Sequence, residues 1–365
     1  MQKESVDDPE FSWWDEPNDL VRLQVAGALG AADTVVTVDS VDPTATLPAN
    51  VWGVATHLKP GDLLLVEPAA DAATFVNEVI EVVTAISETS FTVKRGASGT
   101  TAAAIADNSF LLLIGSAYSE GTPSPKAVTR NPIKYTNKCQ IFKTPYELTN
   151  TAKVTRTRTG DPLKNDKKRK AFDHARGVEL AILYGQQSEV TGENGKPLRT
   201  MDGLRKQIPG ATTTILAATN VTNFLNAVFP VFDFDSRAGD ERIGFCGNAA
   251  LNALNLMIQT DTNTQIQFGG VINQFGMNFR EFIMPQGRLF MRTHPLLNRH
   301  GLYKNSMFIL DFSVVRWRPL RGRDTSFKDN IQGNDEDTQK GQWLTEAGLE
   351  VGMGGLTCGY VGNIV

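Results

Sequence analysis

The sequence predicts an α+β fold joined to a separate all-β module. Three observations lead there. Residues 20–116 hold short β-branched runs broken by turn residues. Residues 161–185 hold one long stretch of helical period. From residue 210 onward, short helical and strand patterns are mixed. At 365 residues the chain is too long for one ordinary core, so more than one domain is expected. A hydrophobic content of 41% suffices to build those cores.

Residues 1–19 read as an N-terminal arm. Seven acids (Glu4, Asp7, Asp8, Glu10, Asp15, Glu16, Asp19) against Lys3 give it a charge of −6. Within it "FSWW" places Phe11, Trp13 and Trp14, which are costly to leave in water at ~25 cal/mol per Å² of apolar surface. These three are candidate anchors of the arm, either on the chain's own next domain or on another subunit. From 20 to 116 the runs "TVVTV", "LLLVEP", "FVNEVIEVV" and "SFTVKR" alternate with turn material such as "KPGD" and "ISETS". Val76, Glu78, Ile80 and Val82 keep the period of a strand, with one charged interruption. A small barrel or sandwich is expected, with no recognisable polar site.

Residues 117–160 are rich in Thr, Pro and charge and end in "KVTRTRTG". A strand here has little apolar face, so this ribbon needs a partner: its own chain, another subunit or nucleic acid. Thr155, Arg156, Thr157 and Arg158 are its candidate inter-subunit residues. The segment 161–209 opens with the rod. Asp161 is a good N-cap, Pro162 suits the first helical position and Gly185 is a good stop. Ala171, Ala175, Val178 and Ile182 form an apolar stripe. Leu180, Leu183 and Tyr184 make the last two turns apolar nearly all round, so that half is expected to be buried. In 210–300, "TNVTNFLNAVF" and "GNAALNALNLMIQ" read as short helices, the first capped by Thr219 or Asn220. "QIQFGG", "MNFREFIM", "RLFMRT" and "SMFILDFSVVRWRPL" read as strands, and the Gly-rich tail within 301–365 reads as closing strands.

Several function classes are excluded by what the sequence lacks. Cys139, Cys246 and Cys358 lie far apart and form no CxxC, which suits a reducing compartment and not a disulfide framework. The start is acidic and has no apolar core, so no signal peptide is expected. No apolar run approaches the ~20 residues of a membrane helix. His57, His174, His294 and His300 make no HExxH and no metal-binding helical pair. "RGASGTT" is not a nucleophile elbow and "GENGKP" is not a phosphate loop. The expectation is a soluble, cytosolic protein that is not an enzyme, with no metal or cofactor and no membrane partner.

Charge is the strongest local feature. From Lys153 to Arg176 nine bases stand against three acids, a net +6 in a chain whose total is −4. Lys164, Lys167, Lys168, Arg169 and Lys170 form a candidate basic patch, facing DNA or another subunit. They fall on several helix faces, so no base-reading helix is indicated. A non-sequence-specific nucleic-acid-binding protein is one alternative reading. A glycan-binding role for the β module is another, based on its architecture alone.

The order of parts resembles the tailed-phage major head proteins of the SU-ten type, assigned to the Hong Kong 97-type capsid fold. The matching pieces are "FSWWDEP" at 11–17, "FTVKRGASGTTAAAIADNSFLLLIGSAYSEGT" at 91–122, "YTNKCQIFKTPYELTNTA" at 135–152, "KKRKAFDHARGVELAILYG" at 167–185, "FILDFSVVRWRPLRGRDT" at 308–325 and "LTEAGLEV" at 344–351. The resemblance implies a Hong Kong 97-like α+β fold with an inserted all-β module. It implies a virion shell of pentamers and hexamers enclosing double-stranded DNA, assembled in the host cytoplasm. DNA contacts are expected to be weak, since packaged DNA must leave, and portal, scaffold or cement proteins are further candidate partners. By the same analogy 162–184 is the spine helix of the peripheral domain, which takes in 161–209 and 301–365. The ribbon 117–160 belongs to the extended loop, 20–116 is inserted in that loop, and 210–300 contains the axial domain. Family members carry a further segment ahead of "FSWW", where ten residues stand here, so no family role is carried over to the arm.

Overall fold

The computed structural model describes residues 2–15, 22–39, 55, 58–67, 77–87, 89–127, 132–155, 160–260, 268–274 and 277–365. The chain divides into two compact units: Met1–Asp15 with Lys134–Val365, and Glu16–Ile133. The first unit begins with strands β1 (Gln2–Lys3) and β2 (Glu10–Asp15).

The second unit is the all-β module. Its strands are β3 (Arg22–Gln24), β4 (Val35–Thr37), β5 (Asp62–Val66), β6 (Val79–Ala85), β7 (Ser90–Ala97) and β8 (Phe110–Ser116). They run β3-β8-β5-β6-β7-β4, each antiparallel to its neighbour. The two ends of that order meet. Val25 bridges Val38, Ala26 N donates to Thr37 O at 2.9 Å, and Asp39 N donates to Gln24 O at 2.9 Å. The sheet therefore closes, and of the two forms expected the module is a barrel. Its interior is filled by alternate residues, among them Leu23, Val36, Leu64, Ile80, Val82, Phe91, Val93 and Leu111.

The first unit resumes with β9 (Ile133–Lys138), which pairs with β2, and β10 (Gln140–Thr149). There the expected ribbon stops. Lys153 and Val154 lie in a short helix, α1 (Asn150–Val154), with Thr155 as its C-cap, and not in a strand. Thr149 Oγ1 accepts from Ala152 N at 3.2 Å, the local capping that turns the chain into helix. Arg156, Thr157 and Arg158 lie outside the described residues.

The rod is α2 (Pro162–Tyr184), about 35 Å long at about 1.5 Å per residue. Asp161 caps it, its carboxylate accepting from Leu163 N at 3.0 Å and Lys164 N at 3.4 Å. Gly185 ends it for a reason other than the one expected. Its φ is −54°, so no left-handed turn is involved. A Cβ there would lie 2.5 Å from Met201 O, and Gly203 N donates to Gly185 O at 3.0 Å. Glycine is needed because two backbones touch.

After α2 come the hairpin β11 (Ser188–Thr191) and β12 (Pro197–Thr200), α3 (Leu204–Gln207), β13 (Thr213–Ile215), α4 (Val221–Val228), β14 (Glu241–Cys246) and α5 (Asn248–Thr260). Asn220 caps α4, accepting from Asn223 N at 2.7 Å. Next are β15 (Phe268–Gln274), β16 (Met277–Met284), β17 (Gly287–Thr293), α6 (Pro295–Asn298), β18 (Met307–Leu310), β19 (Val315–Pro319), β20 (Ser326–Lys328), β21 (Thr338–Val351) and β22 (Gly359–Gly362). The run "SMFILDFSVVRWRPL" is thus two strands, parted where Asp311 accepts from Ser313 N at 2.9 Å. Gln265, Ile266 and Gln267 of "QIQFGG" lie outside the described residues.

Two sheets organise this unit. One runs β1-β19-β21-β10, with β20 also on β21. The other is mixed, β13-β22-β18-β14-β17-β16-β15. Helices α4 and α5 bury Phe224, Val228 and Leu254 with Phe282, Leu289, Ile309 and Val361 of the mixed sheet. A second core joins Leu183 of α2 and Leu204 of α3 to Phe308, Val315, Leu349 and Cys358. Each such side chain contributes ~1.5–3 kcal/mol on burial. The fold is α+β, as the sequence predicts.

Candidate assembly surface

Helix α2 lies along β10 and β21 with His174 and Leu183 as its buried residues. His174 sets its rotation. The imidazole is held between two strands, Nδ1 at 3.0 Å from Thr144 Oγ1 of β10 and Nε2 at 2.8 Å from Thr345 Oγ1 of β21. Successive residues turn about 100° around the axis, so Ala171, Val178 and Ile182 lean inward while Ala175 faces out. The expected stripe is corrected at Ala175, and the last two turns are not buried all round: Leu180 is 41% exposed. Phe172, 69% exposed, stands on the same outer side.

The structure sorts the basic patch. Lys167 Nζ pairs with Asp329 Oδ2 at 2.9 Å and lies 4.1 Å from the centre of the Phe327 ring. Tyr146 Oη donates to the same Asp329 at 2.6 Å, on Oδ1. The Tyr146 hydrogen bond and then the Lys167 pair hold the Asp329 carboxyl below the usual carboxylate range. Lys167 therefore fastens the helix to its own chain. Lys164, Lys168 and Arg169 are exposed and Lys170 is half-buried. Among the described residues these four side chains make no ion pair and no hydrogen bond. Lys164 stands in the first turn of α2, where the helix dipole is positive and opposes cations, and the other three follow it further along the helix.

The arm anchors divide as well. Strand β2 lies beside β9, and Phe11 and Trp13 are buried against Tyr135 and Cys139 of their own chain. The Phe11 and Trp13 rings stack at 6.0 Å, and Trp13 and Tyr135 at 5.9 Å. Trp14 points away and is 61% exposed. Several acids of the arm are matched within the chain: Glu4 with Arg318 at 2.6 Å, Asp7 with Arg321 at 3.0 Å, Glu10 with Lys138 at 3.5 Å. Lys3 pairs in turn with Asp324.

Sequence reading missed two buried charge centres. Glu78, immediately before β6, is buried in the barrel wall. Its oxygens each lie 2.7 Å from Arg95, on Nε and Nη2, and accept from Gly96 N at 3.0 Å and Ala103 N at 3.1 Å. Burial pushes the carboxyl up, but the Arg95 and backbone hydrogen bonds outweigh it and hold Glu78 below its ordinary value. A Glu on the inward phase of a strand was the available signal. The second is Glu350, which binds Arg316 at 2.8 Å and Arg318 at 2.5 Å across the β19–β21 ladder. The acidic loop Gly333–Asp337 was missed too, and all five of its residues are exposed.

The cysteines are free, and burial pushes each thiol up to about 12, which leaves them inert. Among the described residues no group of side chains could hold a metal, and no helix is long and apolar enough to cross a membrane.

A family model described as SU10 major capsid protein matches residues 5–361. The chain belongs to this family. A major capsid protein of Pseudomonas phage PaMx41 is 30% identical over 258 residues, which cover 67% of this chain and 60% of that protein's length. Among solved structures, the SrpI encapsulin of Synechococcus elongatus PCC 7942 matches with a TM-score of 0.45 and 10% identity, over 64% of this chain and 76% of that one. A chain of Mycobacterium phage Bobi matches with a TM-score of 0.44 and 9% identity, over 99% of this chain and 88% of that one. These structural likenesses are distant. The SU10 major capsid family is one of structural proteins and not enzymes.

Proposed function

We propose that the protein is the shell-forming subunit of a tailed-phage head, with copies assembling as pentamers and hexamers around double-stranded DNA. The family match across residues 5–361 carries this reading. In it α2 is the spine of the peripheral domain, with 161–209 and 301–365 around it. The region 210–300 forms the axial domain at capsomer centres, and the barrel is inserted in the extended loop. Portal, scaffold or cement proteins are further partners, and assembly takes place in the host cytoplasm. A shell subunit draws its stability from contacts that symmetry repeats around each axis, so many weak contacts sum to a closed assembly. The exposed outer face of α2 and the exposed Trp14 are surfaces of the kind such contacts use. Electron microscopy of the expressed protein is expected to show closed shells, tubes or capsomers. A protein that stays monomeric at high concentration, with its full secondary structure, would overturn the proposal.

A further inference from the structure

We infer that the outer face of the first turns of α2 docks on the acidic tip, Gly333–Asp337, of a second copy of this chain. The inference rests on the shell reading, and it names one contact within it.

The base side is the set Lys164, Lys168 and Arg169, which are exposed; Lys170, four residues before His174, is half-buried toward the inner side. No carboxylate among the described residues of the chain neutralises them, whereas Lys167, in the same turns, is fastened to Asp329. Lys164 and Lys168 are like charges four residues apart, with Arg169 beside them, so they repel one another and an anionic partner is favourable. The acid side is Asp335, Glu336 and Asp337. Glu336 pairs with Lys340 at 2.5 Å. Asp337 accepts only a neutral amide, from Asn150 Nδ2 at 2.5 Å, and among the described residues neither it nor Asp335 has a cation partner.

Both sides lie at one end of the same unit. The β10–β21 ladder ends at Thr149 opposite Thr338, and Asn150 N donates to Asp337 O at 3.3 Å. Helix α1 starts at that point and packs against α2. The Lys167–Asp329 pair ties the start of α2 to the segment leading into the tip. Yet within one chain the free bases and free acids form no ion pair.

An end that carries both signs is self-complementary. Copies that meet there about a rotation axis set the bases of one against the acids of the next. DNA fits the same turns less well. The free carboxylates at the same end of the unit repel a polyanion seated there, an effect that reaches one Debye length, ~8 Å in physiological salt. The acidic arm is a poorer occupant, since Glu4, Asp7 and Glu10 are already matched in their own chain.

Charge reversal tests the contact. One variant carries Lys168→Glu with Arg169→Glu, a second carries Asp335→Lys with Asp337→Lys, and a third carries all four. Association is read by analytical ultracentrifugation and electron microscopy, and folding by thermal melting. Each two-site variant is expected to melt like the wild type and to need at least about tenfold more protein to associate, because like charges then face each other. The four-site variant is expected to regain wild-type association. The docking is overturned if the two-site variants associate normally, or if the four-site variant fails to recover. Normal association with weakened retention of duplex DNA in the Lys168→Glu, Arg169→Glu variant would assign these turns to DNA instead. If the wild type makes no shells while the four-site variant matches its association and the two-site variants lose it, the shell reading falls and the contact stands.

Discussion

His174 Nε2 lies 2.8 Å from Thr345 Oγ1, so a helix and a strand 171 residues apart in sequence are joined through one buried ring. Burial pushes the imidazole below its ordinary value. In the unfolded chain it titrates near ~6.5. The folded state therefore holds fewer protons on it, and its contribution to stability is fully present above pH ~6.5 and lost as pH falls through the lower folded value. The wild type is expected to lose melting temperature between pH 7 and pH 5. His174→Gln, which keeps polar contact with both threonines, is expected to flatten that part of the curve. An unchanged slope in the variant would show that the acid sensitivity comes from elsewhere.

The Glu78–Arg95 pair is buried on both sides and has hydrogen bonds on both carboxylate oxygens. Removing one partner leaves a buried charge uncompensated, at about 3–5 kcal/mol. Arg95→Met is expected to open the barrel, read as rapid proteolytic cleavage within residues 22–116 while the fragment from 134 onward survives. Replacing both residues with apolar ones of similar size is expected to cost much less. Because the folded Glu78 value is lowered, this stabilisation holds above pH ~4.3 and fades as pH falls through the folded value.

Lys167 and Lys168 are neighbours with opposite roles. Lys167→Ala removes a half-exposed ion pair and a cation–π contact, and is expected to lower stability by about 1 kcal/mol after solvent screening. Lys168→Ala is expected to change stability by less than about 0.5 kcal/mol. Chemical denaturation of the two variants side by side checks this, and equal losses would contradict the division of the patch.

Gly348 of β21 lies under the arm. A Cβ there would collide with the Phe11 ring and lie 2.8 Å from Lys138 O. Gly348→Val is expected to displace Phe11, at a cost of about 1–3 kcal/mol, and so to release the segment before Asp15. Limited proteolysis should then trim the N-terminus faster than in the wild type, and equal trimming rates would show that Phe11 does not hold the arm.

What the sequence revealed was local. Asp161, Pro162 and Gly185 bound α2 because capping acts within a few residues, and β-branched runs with turns between them located the barrel strands. What it concealed was long-range. The rotation of α2 depends on Thr144 and Thr345, and the role of Lys167 on Asp329, 162 residues away. Barrel closure depends on Val25 meeting Val38, which no periodicity encodes. Glu78 read as an interruption because its partner Arg95 lies on the next strand. For the patch, the sequence supplied the charge and only the fold divided it between fastened and free lysines.

Strand β2 ends at Asp15, β9 begins at Ile133, and the two are hydrogen-bonded neighbours in one small sheet. The barrel between them is thus a cassette whose two ends leave from adjacent strands. Its two edge strands are sealed onto each other by the Val25–Val38 bridge. A short turn from Asp15 to Ile133 would close the gap, and a foreign domain with closely spaced termini would fit the same slot. The sequence between those two strands can thereby change in length and kind without disturbing the sheet that brackets it.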